Sequence, residues 1–149
     1  LEGKKTHWLR PRLLGYGAAL VTMIVMFIIT VGNLAQVSLD IERDRNVLYR
    51  ETRAGDIENV YIVKIFNKGQ TERTYAIDVS GHPALQLQLP DNRLTVAPSR
   101  KLELPVNIHM DPGALNGATN IPITFVVTAE DDDSVQAEAE SRFMAPQVR

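Results

Sequence analysis

The residues best suited to chemistry in this 149-residue chain are charged and follow closely behind a long apolar run. Arg43, Asp44, Arg45, Asn46, Tyr49 and Arg50 fall in one short stretch, with Glu51 and Arg53 just beyond. Guanidinium groups present a planar fork of donors that fits carboxylates and phosphates. The cluster therefore suits a docking surface for a membrane partner, or contact with lipid headgroups. Juxtamembrane arginines also settle at the interface with neighbouring acids balancing them. Both readings are binding, and neither is catalysis.

Nothing else in the chain gathers a catalytic or metal centre. Of the three histidines, His7 lies in a basic flank, His82 precedes Pro83 in a turn, and His109 lies on the polar face of a strand. Met110 beside His109 raises copper, yet strand neighbours point to opposite faces, and a metal needs several convergent ligands. The acidic run Glu130 to Asp133 lacks the spacing and glycine of an EF-hand loop, and reads as a solvated hairpin tip. Neither GxSxG nor HExxH occurs, and Ser38, Ser80, Ser99, Ser134 and Ser141 sit in strand and turn contexts. The absence of cysteine removes thiolate ligands, thiol redox chemistry and cysteine nucleophiles. A formal charge of −2 and a mildly acidic outer part argue against nucleic acid. No catalytic, cofactor-binding or metal residue is expected in this segment.

The elements that must position the arginine cluster begin with a membrane span. Leu13 to Leu39 contains no charged residue, and about 20 apolar residues suffice to cross a hydrocarbon core of roughly 30 Å. The expected division is a basic cytoplasmic flank over 1–12, a transmembrane helix over 13–36, and an outer domain over 37–149. Lys4, Lys5, Arg10 and Arg12 before the span, against Asp40 and Glu42 after it, place the N-terminal side inside. Trp8 and Tyr16 fit the inner boundary. Gly15 and Ala19 form a small-xxx-small pair suited to close helix packing. A cleaved signal peptide also starts basic and turns apolar, but Asn33 and Ala35 around Leu34 make a poor cleavage site. Since the chain begins with Leu, it is expected to continue upstream of Leu1.

The outer part, roughly 110 residues, is long enough for one core, and its pattern is that of strands. Val37 to Glu42 alternates, and a charged loop with a short strand at Asn46 to Tyr49 follows. Ile57 to Asn67 and Glu72 to Ser80 read as a hairpin through Asn67-Lys68-Gly69. Leu85 to Leu89, a brief Thr95 to Ala97, Lys101 to Met110, Ile121 to Ala129 and Val135 to Phe143 complete the set. Pro105 lacks a ladder donor, which puts its strand at an edge or a bulge. Asp111 to Asn120 reads as a loop. About seven strands separated by turns predict an all-β, immunoglobulin-like antiparallel sandwich preceded by one transmembrane helix. The Cys…Trp…Cys signature of antibody domains is missing, since the only tryptophan is Trp8.

The order WLRPRLLGYG (Trp8 to Gly17), RDRNVLYRE (Arg43 to Glu51), IENVYIVKIFNK (Ile57 to Lys68) and a closing F-x-x-P (Phe143, Pro146) resembles the C-terminal part of the FixG/CcoG/RdxA family. Those are accessory proteins in the assembly of cbb3-type cytochrome c oxidase. The resemblance implies a multi-span protein of the bacterial inner membrane with a cytoplasmic ferredoxin-like unit holding [4Fe–4S] clusters. Leu13 to about Leu34 would be its last helix, and the sandwich would lie in the periplasm. Family membership also implies a role in copper handling, by electron transfer from the clusters to Cu(II). The cluster cysteines fall outside this segment, so no redox residue carries over. Implied partners are membrane lipid and an oxidase subunit or copper carrier. Two alternatives stand beside this: a periplasmic copper-binding module using His82, His109 and methionines, and a purely structural cap.

Overall fold

The computed structural model describes residues 11–32, 34–44, 47–91 and 93–146. The chain forms two units, Leu1–Leu34 and Ala35–Arg149. In the first, helix α1 runs Pro11–Gly32, starting two residues before the expected Leu13 and stopping short of 36. Proline suits a first helical turn because the opening N–H groups have no intrahelical partner in any case. None of its residues is buried, and the helix is long and apolar enough to cross a membrane. Its two interior hydroxyls are satisfied locally: Thr22 Oγ1 donates to Ala18 O at 2.9 Å and Thr30 Oγ1 to Met26 O at 2.8 Å. The i−4 bond is how a helix carries threonine without an orphan polar group.

The second unit is a sandwich of nine strands among the described residues: β1 Val37–Arg43, β2 Arg50–Glu51, β3 Ile57–Asn67, β4 Arg73–Ser80, β5 Gln86–Gln88, β6 Leu94–Val96, β7 Lys101–Met110, β8 Asn120–Ala129 and β9 Asp132–Met144. One sheet has the order β1-β3-β7-β5, with β2 also on β3; the other has β6-β4-β8-β9. All pairings are antiparallel. The alternation read from sequence sets the inner faces. Tyr61, Val63 and Ile65 of β3 meet Val106 and Ile108 of β7, opposite Phe125, Val127 and Phe143 of the other sheet, all fully buried. The Tyr61 and Phe125 rings meet edge-on at 5.1 Å across the two sheets. Each such side chain contributes about 1.5–3 kcal/mol on burial, which lets the unit hold without disulfides.

Three expectations need correction. Strands β3 and β4 do not form a hairpin: they lie in different sheets. The buried Asn67 amide redirects the chain there, donating to Thr71 O and Val96 O at 2.8 and 2.9 Å while its Oδ1 accepts from Gly69 N–H at 2.9 Å. An Asn-Lys-Gly sequence signals a turn but not which sheet the chain enters next. Strand β7 is not an edge strand, since β5 pairs with it through Asn107, Ile108 and His109. Because β5 stops there, Pro105 has only Ile62 of β3 opposite it, and its missing N–H costs no ladder bond. Finally, the expected strand at Asn46 to Tyr49 is displaced to Arg50–Glu51. The expected loop after Met110 also contains a short 3₁₀ turn, Pro112–Leu115, capped by Asp111 accepting from Gly113 N–H.

Candidate functional site

The arginine cluster occupies a place where the chain leaves one edge of β3 and then returns to it. Pairing of β1 with β3 runs down to Arg43 opposite Tyr61, and Asp44 N–H still donates to Val60 O at 3.0 Å. Pairing resumes on the same edge with Arg50 opposite Glu58 and Glu51 opposite Ile57. The intervening residues have almost no β3 length to pair with and must loop out. Within that loop Val47 and Leu48 are 41% and 57% exposed, while Tyr49 packs partly buried against the core. Tyr49 thus pins the described part of the loop, where the two aliphatic side chains face solvent. Arg45 and Asn46 lie outside the described residues, as do Lys4, Lys5, His7, Trp8 and Arg10 of the basic flank.

Alternation sends the charged residues around the loop to two faces. Arg43 shares the inward register with Val37, Leu39 and Ile41, but at the rim of the sandwich, opposite Tyr61. Burial pushes the Tyr61 hydroxyl well above the ordinary tyrosine range, and the Arg43 charge partly offsets that rise. The hydroxyl donates to Arg142 O of β9 at 3.0 Å. On the outward face Arg50 reaches Asp44 at 3.6 Å, an exposed pair worth little by itself. Its register row continues through Glu58 of β3 to His109 of β7. His109 Nε2 lies 3.5 Å from Glu58 Oε2 and 2.8 Å from Gln88 Oε1, and Asn107 Nδ2 donates to Glu58 at 3.3 Å.

Several of these residues escape a sequence reading. Glu58, Gln88 and Asn107 look like ordinary outward strand positions, and only the register shows that they join Arg50 and His109. Beyond the row, a cavity of about 590 Å³ opens around the end of β1, lined by Ile41, Glu42, Arg43, Ile62, Ser141 and Arg142. The signal for it is faint: of its lining, only Ser141 is a small residue at an inward position of β9. The other sequence candidates stay apart. His82 Nδ1 accepts from Ala84 N–H in its own turn, and no group of three or more His, Cys, Asp or Glu converges among the described residues. Gly15 and Ala19 lie one helical turn apart on α1, with nothing within 4 Å of a Cβ built at Gly15. The acidic tip is shorter than expected, since Asp132 already belongs to β9, where it accepts from Ser134 N–H and Oγ.

Two antiparallel sheets packed face to face, with a cleft beside β1 and a polar row on the outer face, define an immunoglobulin-like class of domain. Within that class, residues 27–146 match the family described as "IG-like fold at C-terminal of FixG, putative oxidoreductase", and the chain belongs to this FixG C-terminal family. The crystal structure of a FixG-related protein from Vibrio parahaemolyticus is similar at 32% identity and a TM-score of 0.64, over 73% of this chain and 95% of that one. The GAE domain of yeast GGA1 aligns at 10% identity and a TM-score of 0.40, over 74% of this chain and 92% of that one, too weak a likeness to bear on function. Among curated proteins, none matches.

Proposed function

We propose that this chain is the membrane-anchored, non-catalytic arm of a FixG-like iron–sulfur protein of the bacterial inner membrane, with its sandwich in the periplasm. In this reading α1 is the last membrane helix, and the [4Fe–4S] clusters are carried upstream of Leu1. The sandwich docks a subunit of a cbb3-type oxidase, or a copper carrier, during oxidase maturation, where the clusters supply electrons for copper reduction. The observation that carries the docking role is the loop after β1. It exposes Val47 and Leu48 between Arg43 and Arg50, an apolar tip with charged flanks, which is the anatomy of a binding patch. Family membership supports the attachment to FixG. Basic residues before α1 and acidic ones after it support the orientation.

The test is a full-length protein carrying Arg43→Ala with Arg45→Ala, and separately Leu48→Ser, in the native host. Oxidase activity of the membranes should fall several-fold at unchanged abundance of the variant protein. Unchanged oxidase activity in both variants would remove the docking role.

A further inference from the structure

The loop between β7 and β8 carries the chain's only Asn-Gly pair, Asn116-Gly117; every other asparagine precedes a Leu, Val, Lys, Arg or Ile. The loop is fastened at its start and open after that. Asp111 accepts from Gly113 N–H at 2.6 Å, and Leu115 is buried in the core. Residues 116–120 are all exposed. Asn116 ends the 3₁₀ turn in the left-handed region, at φ 48° and ψ 33°, a conformation that asparagine tolerates better than most side chains. Gly117 follows at φ +83°, with nothing within 4 Å of a Cβ built on it.

That pair brings together the two groups of an intramolecular acyl transfer. The Asn116 side chain offers an amide carbon, Cγ, and the Gly117 nitrogen is the nucleophile once it loses its proton. Its N–H makes no hydrogen bond among the described residues, so no bond has to break to free it, and glycine puts no side chain in the way. Among the described residues the Asn116 amide is held only by a long bond, Nδ2 donating to Ala114 O at 3.3 Å. The remaining guard is the ψ of 33°. It leaves the Gly117 nitrogen on the far side of the Cα–C bond from the Asn116 side chain, so ring closure waits for that bond to rotate. Rotation costs the bond from Ala118 N–H to Leu115 O at 2.8 Å, but none of residues 116–120 belongs to the core.

We propose that Asn116 is a site of spontaneous deamidation, gated by opening of this loop alone. The deprotonated Gly117 nitrogen bonds to Asn116 Cγ, the Cγ–Nδ2 bond breaks, and ammonia leaves, closing a succinimide ring. Water then opens the ring at either carbonyl. Breaking the bond between nitrogen and Cγ gives aspartate. Breaking the bond to the main-chain carbonyl gives isoaspartate, whose main chain runs through Cγ. No oxidant, reductant or enzyme enters. Aspartate keeps the turn, because it too tolerates the left-handed region; isoaspartate adds a methylene to the main chain and loses it. Both place a carboxylate on the loop. Met110, the residue before that loop begins, stands opposite Ile57, and Ile57 opposite Glu51. The new charge therefore appears at the same end of the sandwich as the loop after β1, and the inference stands whether or not that loop docks a partner.

The experiment incubates the full chain in phosphatidylcholine nanodiscs in warm, mildly alkaline buffer, beside a synthetic peptide of residues 114–120, and follows both by peptide-mapping mass spectrometry. Asn116 should convert before any other asparagine, to isoaspartate and aspartate, and faster as pH rises. Its rate should lie within about ten-fold of the peptide's, since exposed loops open at little cost. Asn116→Gly, which keeps the left-handed turn, should leave the mass of this fragment constant with time. Asn67→Ala weakens the fold from the opposite end of β3, where Asn67 donates to Thr71 O and Val96 O, and should leave the Asn116 rate unchanged. Conversion of another asparagine first, or an intact Asn116 when the peptide has fully converted, overturns the inference. So does an Asn116 rate that rises several-fold in Asn67→Ala, which would mean that the residue reacts only when the whole sandwich unfolds.

Discussion

Asn59 gives the sharpest prediction about how the cleft is held. It is 2% exposed on the inward face of β3, between Ile57 and Tyr61. Its amide does what a neighbouring strand would do for β9, donating to Met144 O at 2.8 Å and accepting from Met144 N–H at 2.9 Å. Asn59→Ala removes two hydrogen bonds of about 1 kcal/mol each and leaves two backbone groups that water reaches only in part, adding roughly 1–2 kcal/mol. The expected loss is about 2–4 kcal/mol. For a unit of this size that is a fall of roughly 8–16 °C in melting temperature, at about 4 °C per kcal/mol. The assay is thermal unfolding of the purified chain in detergent, followed by the sheet band of its circular dichroism. Asn59→Asp should be worse near neutral pH, because a carboxylate would face Met144 O in a buried site, and should recover as acid protonates it. A loss under about 1 kcal/mol for Asn59→Ala would show that this end of β9 is held by its pairing with β8 and by core packing, and that the side-chain bridge is incidental.

Other consequences follow from particular geometries. Gly81 has φ +130°, and a Cβ there would sit 2.4 Å from Pro122 O, so Gly81→Ala should cost at least about 2 kcal/mol in the same melt; a neutral result would mean that the β4 end moves freely. Burial raises the hydroxyl pKa of Tyr61 and Tyr75, so both groups favour folding below the unfolded tyrosine value of about 10, and that contribution is lost as pH rises beyond it. Tyrosinate absorbance from these two should therefore appear only together with loss of the sheet signal; full ionisation with the sheet intact would refute it. Asn67→Ala, which strips three hydrogen bonds from the crossover between sheets, should destabilise by about 3 kcal/mol, and a loss below about 1 kcal/mol would mean the crossover is held by other contacts.

The strands were legible in the sequence wherever one face is buried. The alternation in β3, β7, β8 and β9 puts the same residues inward that the fold buries, such as Val63, Val106, Phe125 and Phe143. Pairing was harder, because alternation records a face and not a neighbour. The Asn67 turn looks like a hairpin until the buried amide is seen bonding to Val96 of the other sheet. Pro105 looked like an edge signal because a pattern of residues cannot show that β5 ends two positions away. The arginine cluster was visible as composition, but its two faces were not. Arg43 turns toward the cleft and Arg50 toward Glu58 and His109 only because the loop between them returns to the same edge of β3. Arg142 and Ser141 join the site from almost a hundred residues away, and no local pattern links such positions.

The central claim is that this domain docks a partner and takes no part in the redox chemistry. The most direct measurement compares the full-length protein with one lacking residues 37–149, scoring oxidase activity in the membranes per unit of cluster-loaded protein. The account predicts that the shortened protein keeps its iron and acid-labile sulfide, roughly eight irons for two [4Fe–4S] clusters, while oxidase activity falls to the level of a strain without the protein. Oxidase activity that persists with the sandwich removed would contradict it.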